Sequence, residues 1–293
     1  MATRKKHSGY VALIGRTNVG KSTFLNYIME AKVSIVSNKP QTTRKQILGI
    51  KSGKKGQIIF FDSPGIHRPY FKLNEKMMSE VHTSLMDADI ILYFIEIDQV
   101  REDDFALSLF EGLGKKVFLI INKIDKYNKA RALEKINRFK DVYSWDEIVP
   151  ISALKGSNMD LIEDLLYKYL PEGDHLYPDE EYTLQTEKFY TAELVREKVL
   201  HSTRAELPFT TTVKVEEIRK DKKIVYVRAE IYVETRSQKK ILVGKKGHLV
   251  KSIGELARKD MEDYFDQKVY LDLFIKVVPD WRNSPHILHE IDT

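Results

Sequence analysis

The chain has 293 residues, with 48 Lys and Arg against 43 Asp and Glu, 42% apolar and 31% charged residues. That balance excludes collagen-like and disordered chains, and the length suits two domains of roughly 150 residues each. There is no cysteine, so disulfides and thiolate metal sites are excluded, and a net charge of only +5 confines any nucleic-acid contact to a local patch.

The basic start Arg4-Lys5-Lys6 is followed by only Tyr10–Ile14 before Gly15 and Arg16, too short an apolar run for a signal peptide. The longest apolar runs, Ile90–Ile95 and Val117–Ile121, have strand length and fall far short of a spanning helix. A soluble, cytoplasmic protein is expected. Over residues 1–170 the apolar strands Tyr10–Ile14, Ile58–Phe61, Ile90–Ile95, Val117–Ile121 and Glu147–Ile151 alternate with helical stretches: Lys21–Met29, Lys72–Met86, Asp103–Glu111, Ala130–Asp141 and Asp160–Leu170. Strands apolar on both faces and separated by helices predict a doubly wound α/β domain with a mostly parallel sheet.

Residues 171–188, with Pro171-Glu172-Gly173 and the acidic run around Pro178, have the composition of a linker. From 189 to 293 the pattern changes: a helix through Phe189 and Val199, alternating strands around Val213 and Val225–Val233, a short helix at Ser237–Leu242, then Gly244-Lys245-Lys246-Gly247. A longer helix follows, with Leu249, Val250, Ile253, Leu256, Ala257, Met261 and Tyr264 on one face, and then a strand, Val269–Val277. This order predicts a smaller α+β domain.

Several motifs sit at the ends of these strands. Gly15-Arg16-Thr17-Asn18-Val19-Gly20-Lys21-Ser22, running into Thr23, matches the P-loop pattern between a strand and a helix. Its backbone N–H groups can cradle phosphates, Lys21 supplies a point charge, and the Ser22 hydroxyl can ligate Mg²⁺. Asp62, in Asp62-Ser63-Pro64-Gly65, stands where a carboxylate would support that ion, and the Gly65 N–H can meet a γ-phosphate. In the polar loop Asn38–Arg44, Thr43 is the first choice and Thr42 the second for a hydroxyl closing over Mg²⁺. Asn122-Lys123-Ile124-Asp125 suggests guanine: the Asp125 carboxylate can accept from N1–H and the exocyclic amine, and adenine offers no N1–H there. Asn122 can bond the purine or brace the loop, the Lys123 stem can cover a ring, and Ser152, Ala153 and Leu154 can offer backbone N–H groups to the guanine carbonyl. The four motifs in this order make the expected nucleotide GTP or GDP with Mg²⁺.

Together with Lys39-Pro40-Gln41-Thr42-Thr43-Arg44, the phrase Phe61-Asp62-Ser63-Pro64-Gly65-Ile66-His67, the stretch Phe189–Lys198 and Trp281-Arg282, these boxes resemble the Era family of bacterial ribosome-assembly GTPases over essentially the full chain. The resemblance implies GTP hydrolysis coupled to maturation of the small ribosomal subunit, with the second domain gripping single-stranded RNA near the 3′ end of its ribosomal RNA. Where Ras-like enzymes place a water-orienting Gln, this chain has Ile66, so slow intrinsic hydrolysis is expected. A backbone group, a network of waters, or Asn18 holding a monovalent cation are the candidates to replace that Gln, K⁺ being what the resemblance implies for a P-loop Asn; Arg44 and Arg68 are cationic alternatives whose simpler role is exposed charge. Asn18, Lys21, Thr43 and Gly65 are thus the expected catalytic group.

Gly244-Lys245-Lys246-Gly247 between two helices is the loop of a KH domain, type II by strand order, which clamps about four nucleotides. From Arg236 to Lys259 there are eight basic residues and one acid, Glu255. Arg236, Lys239, Lys245, Lys246, Lys251 and Arg258 are expected at RNA phosphates, alongside Gly244 and Gly247. Ile241, Leu242 and Ile253 are aliphatic groove candidates for which core packing is the plainer role. A constitutive RNA scaffold with a structural nucleotide, and a GTP-driven RNA-processing factor, are the competing functions. Weak peripheral contact with the inner membrane and a monomeric state complete the expectations.

Overall fold

The computed structural model describes residues 5–291, so Arg4 lies outside the described residues. Its contacts divide the chain into two units. The first contains β1 (His7–Gly15), α1 (Lys21–Met29), β2 (Ile47–Gly53), β3 (Gly56–Asp62), most of α2 (Lys72–Asp87), β4 (Ile90–Glu96), α3 (Asp104–Ser108), β5 (Lys116–Asn122), α4 (Lys129–Phe139), β6 (Glu147–Pro150) and α5 (Met159–Tyr169). Its sheet runs β2-β3-β1-β4-β5-β6, parallel throughout except that β2 pairs antiparallel with β3. The inner strands are buried on both faces, as helices on both sides require: every residue from Val11 to Ile14 and from Ile90 to Leu92 is inaccessible. The parallel arrangement brings the C-terminal ends of β1, β3, β5 and β6 to one edge of the sheet, where open α/β sheets bind ligands.

Strand β2 is absent from the sequence-based expectation. Its residues, Ile-Leu-Gly-Ile-Lys-Ser-Gly, alternate weakly and carry two glycines, and antiparallel pairing with β3 supplies what propensity lacks. As an edge strand β2 leaves backbone groups unpaired, and the chain after α5 meets them. The Ile50 N–H donates to the Tyr182 carbonyl at 2.9 Å, and the Thr183 hydroxyl donates to the Leu48 carbonyl at 2.7 Å. Buried Gln57 holds the same segment: its Oε1 accepts from the N–H groups of Leu176 and Tyr177 at 2.8 and 2.9 Å, and its Nε2 donates to the Tyr177 carbonyl at 2.9 Å. The stretch with linker composition is therefore strapped to the first unit as far as Leu184.

The second unit groups Ser37–Thr42 and Pro69–Glu75 with residues 185–293. It contains α6 (Glu187–Ser202), α7 (Leu207–Thr210), β7 (Thr212–Lys220), β8 (Ile224–Val233), α8 (Arg236–Val243), α9 (His248–Phe265), β9 (Lys268–Val277) and α10 (Pro285–Glu290). Its sheet runs β7-β8-β9, with β7 antiparallel and β9 parallel to β8, the type II KH arrangement. One face packs on α6 and α9 through Val195, Val199, Val227, Ile231, Ile253, Ala257 and Met261. One apolar position of α9 departs from the expected stripe. Leu256 is half exposed because the packed stripe follows Ile253-Ala257-Met261, four residues apart, and Leu256 lies off that line. Ile241 of α8 is likewise exposed, while its neighbour Leu242 is fully buried. Among the described residues no helix is long and apolar enough to cross a membrane.

Gln57→Ala removes three hydrogen bonds from the strap. It should lower stability by about 1–3 kcal/mol and speed protease cleavage between residues 174 and 184, measured by urea unfolding and by mass spectrometry of limited digests.

Candidate functional site

Residues at the C-terminal ends of β1, β3, β5 and β6 build one pocket edge in the first unit. Lys21 opens α1 and is buried, its ammonium donating to the carbonyls of Gly15 and Arg16 at 2.9 and 3.0 Å. Burial lowers its pKa from the ordinary lysine range to about 8, although Asp62 favours the charged form. Asp62, at the end of β3, is buried too, and burial raises its pKa against the pull of Lys21 and neighbouring hydroxyls. Its Oδ2 accepts from Ser22 at 2.6 Å and from Ser34 at 2.9 Å, and the hydroxyls of Ser22 and Thr43 lie 3.1 Å apart. The other oxygen, Oδ1, is buried with no hydrogen-bond partner among the described residues. An orphaned carboxylate oxygen beside hydroxyls is an all-oxygen donor set, and it fits a hard divalent cation. Ser34 is the member that sequence reading missed, since nothing in its local pattern separates it from an ordinary loop serine.

Thr42 points elsewhere. Its hydroxyl donates to the Lys39 carbonyl at 2.6 Å, and within the second unit its carbonyl accepts from Arg196. Of the two threonines, Thr43 is the one whose hydroxyl stands at Ser22. Gly65 packs so closely on the P-loop that a Cβ there would lie 2.5 Å from the Thr17 side chain. Ile66 is buried in the core against Met78 and Val81 and donates its N–H to the Gly15 carbonyl at 3.0 Å, so its side chain cannot reach a water in the pocket. The Arg16 guanidinium pairs with Asp103, which also caps α3 by accepting from the Ala106 N–H; the side chain thus anchors the loop sideways. Val19 is buried and Thr23 lies in the first turn of α1.

Asn122 ties three loops together. Its Nδ2 donates to the Val19 carbonyl at 2.7 Å, while its Oδ1 accepts from the N–H groups of Lys123 at 2.7 Å and Ala153 at 3.0 Å. Both ends of the amide take part in bracing, with one Nδ2 hydrogen left over for the purine contact. Gly20 makes the brace possible: its φ is 101°, and a Cβ would lie 2.2 Å from Asn122 Nδ2. Lys123 donates to the Asn18 carbonyl at 2.6 Å and pairs with Glu96, stretching its stem across the pocket edge. Asp125 is exposed, one oxygen held by the Ser152 hydroxyl at 2.5 Å. The Ala153 and Lys155 N–H groups are consumed by Asn122 and by Ser152 Oγ, so of this loop's N–H groups Leu154's is left with no partner among the described residues.

In the second unit, Gly244 to Gly247 form a single tight turn between α8 and α9, with Lys245 and Lys246 exposed. No side chain caps the start of α9, and the space over Gly247 is open. Arg236 and Lys239 are exposed on α8. A groove of about 320 Å³ runs between α9 and β9, lined by Val250, Lys251, Gly254, Arg258, Leu271 and Leu273. Lys251 lies 3.9 Å from Glu255, and Arg258 bonds Glu262 at 2.9 Å, so internal carboxylates temper both charges. The floor, Leu271, Leu273 and Gly254, is not among the RNA contacts expected from the sequence. A Cβ at Gly254 would meet only Leu273, at 3.8 Å. A glycine costing about 1 kcal/mol relative to Ala in mid-helix, where Ala would fit, keeps the groove open.

Two family descriptions match the chain, "50S ribosome-binding GTPase" over residues 10–123 and "KH domain" over residues 206–282. GTPase Era of Heliobacterium modesticaldum is 40% identical over 287 residues, covering 97% of this chain and 96% of the relative. The chain belongs to the Era family of GTPases. A solved Era in complex with MgGDPNP and nucleotides 1506–1542 of 16S ribosomal RNA matches with a TM-score of 0.94 at 40% identity, covering 98% of each chain. A point mutant of Aquifex aeolicus Era bound to GDP·AlF4⁻ matches with the same TM-score and identity, over 97% of this chain and 98% of that one. The family's two-domain plan, a P-loop GTPase domain followed by a KH domain, is the plan of this chain.

Two outcomes test the pocket. Gly20→Ala should weaken guanine-nucleotide binding at least about 30-fold, through strain and loss of the Asn122 brace, in a titration with fluorescent GDP. Lys21 titrates near 8 without ligand, and phosphate binding raises its pKa. Nucleotide binding at pH 8 should therefore take up about half a proton and almost none at pH 6.5, read by calorimetry in buffers of different ionisation enthalpy.

Proposed function

We propose that this Era-family chain is a GTP-hydrolysing switch that grips the 3′ region of small-subunit ribosomal RNA and assists assembly of that subunit, working as a cytoplasmic monomer. The observation carrying the nucleotide half is the buried, unpaired Asp62 Oδ1 beside the hydroxyls of Ser22 and Thr43, with the Lys21 ammonium in the same pocket. These residues would hold Mg²⁺ and the β- and γ-phosphates; the ion would supply charge neutralisation on the transferring phosphoryl group. Lys21, drawn back to full charge by the phosphates, holds a positive field where negative charge develops. Asp125 would read guanine N1–H and the exocyclic amine, and the Leu154 N–H is the donor left for the guanine carbonyl. Buried Ile66 supplies no group to orient water, which supports slow intrinsic turnover; K⁺ held by Asn18 is the proposed supplement. Exchanging K⁺ for Na⁺ should then slow hydrolysis about tenfold or more at unchanged GTP affinity, and equal rates would remove the cation from the account.

The RNA half rests on the α9–β9 groove beside the Gly244–Gly247 turn. The phrase "50S ribosome-binding" belongs to a description that matches residues 10–123 alone and excludes the KH domain. The solved Era that matches both domains is in complex with 16S ribosomal RNA, which favours the small subunit as the partner. Gly254→Leu would fill the groove floor and should weaken RNA binding at least tenfold without loss of fold, by gel shift and thermal melting. The test of the whole reading is RNA crosslinking in cell extract, with the protein loaded with a non-hydrolysable GTP analogue and then with GDP. Crosslinks from residues 244–258 to the 3′ end of small-subunit RNA, stronger with the analogue, are expected. Equal crosslinks in both states would favour a constitutive RNA scaffold.

A further inference from the structure

The KH sheet has two faces, and α6 and α9 cover one of them. On the other face the residues of β8 and β9 alternate outward in register, Tyr226 opposite Tyr270, Arg228 opposite Asp272, Glu230 opposite Phe274 and Tyr232 opposite Lys276. One end of this face is closed: Tyr232 is buried, and Lys214 of β7 pairs with Glu290 of α10 at 3.3 Å. The rest is open. Tyr270 is 57% exposed and Phe274 43% exposed, large values for aromatic rings in the middle of a strand.

The open part is a built array of rings and cations. The rings of Tyr226 and Tyr270 lie 5.9 Å apart, the Arg219 guanidinium sits 4.7 Å over Tyr226, and the Arg228 guanidinium sits 5.1 Å over Phe274. Neither arginine has an ion-pair partner among the described residues, so stacking on the rings is what orients them. The acids on the face are Asp272, Glu230, Glu216 and Glu217; Glu230 is taken by Lys276 at 3.3 Å and Glu216 by Lys214 at 3.1 Å, and Glu217 stands opposite Arg228 in the register without pairing with it. The result is an exposed aromatic patch, with Tyr226 and Tyr270 tilted by 51° to each other and with guanidinium groups over Tyr226 and Phe274 whose N–H donors are not spent on carboxylates. Sequence-tolerant single-strand binders combine these same elements, aromatic faces for bases and cations for phosphates. Continuity also points to RNA. Strand β9 is at the sheet edge, Leu271 and Leu273 line the groove from one side of it, and Tyr270 and Phe274 project from the other. A strand leaving the groove around this edge meets the aromatic face within a few nucleotides.

We propose that the outer face of the β7–β8–β9 sheet is a second single-stranded RNA platform, where bases flanking the segment in the groove stack on Tyr270 and Phe274 while Arg219 and Arg228 hold phosphates. The proposal rests on the RNA reading above and extends it to a surface outside the groove. It would let the chain engage more than the roughly four nucleotides that a KH groove clamps.

The test uses the full chain and two variants, Tyr270→Ala/Phe274→Ala and Tyr270→Leu/Phe274→Leu, the second keeping apolar bulk without a π face. Two probes are titrated: an RNA with the sequence of nucleotides 1506–1542, as in the Era complex, and groove-length oligonucleotides cut from it. Both variants should bind the long RNA about tenfold or more weakly and bind the best short oligonucleotide like wild type, which also shows that they are folded. In wild type, ultraviolet crosslinking followed by trypsin should place the long RNA on the peptide Val269–Lys276. Unchanged affinity for the long RNA with no crosslink to that peptide would overturn the platform and leave the groove reading standing. A loss confined to intact ribosomal subunits, with naked RNA unaffected, would overturn it in favour of a protein contact. A wild-type chain that binds neither RNA would overturn both readings.

Discussion

A buried ammonium and a buried carboxylate, each short of partners, set the terms for the first unit. Lys21 bonds two carbonyls and Asp62 two hydroxyls, yet burial pushes both toward their neutral forms, and one carboxylate oxygen is left unbonded. Folding alone does not satisfy this pair. A polyphosphate beside Lys21 and a divalent cation beside Asp62 would, so the fold holds a desolvated site ready for a ligand of that composition. The parallel sheet makes this tolerable by surrounding the site with strands inaccessible on both faces, whose burial offsets the local cost.

The same sheet end explains why phosphate and base recognition are one structure. Asn122 joins the P-loop, the loop after β5 and the loop after β6 through a single amide, so the positions of Asp125 and Lys21 are not independent. Gly20 is required by this junction as much as by phosphate, because the Asn122 amide occupies the place a side chain would take.

Much of this was legible in the sequence, because motif spacing and strand ends coincide. The Gly15–Ser22 pattern, Asp62 and Asn122–Asp125 each follow an apolar run, and the structure brings them to one edge. The rest depended on contacts distant in sequence. Strand β2 was hidden by its glycines and exists through β3; the linker's attachment depends on buried Gln57; Ser34 reaches Asp62 across 28 positions. In the KH domain the Gly-Lys-Lys-Gly turn was readable, but Leu271 and Leu273 look like core residues until the groove between α9 and β9 is seen. Leu256 failed the other way, because apolar periodicity cannot tell a core stripe from a neighbouring exposed position.

The most direct measurement compares nucleotide affinity with and without Mg²⁺ in wild type and in Asp62→Asn, which keeps shape and removes the charge. With Asp62 as the cation's buried anchor, Mg²⁺ should tighten binding of a GTP analogue to wild type by tenfold or more, and most of that gain should vanish in Asp62→Asn. A variant that keeps the full Mg²⁺ dependence would contradict the account, since the unpaired carboxylate oxygen would then have no ligand to serve.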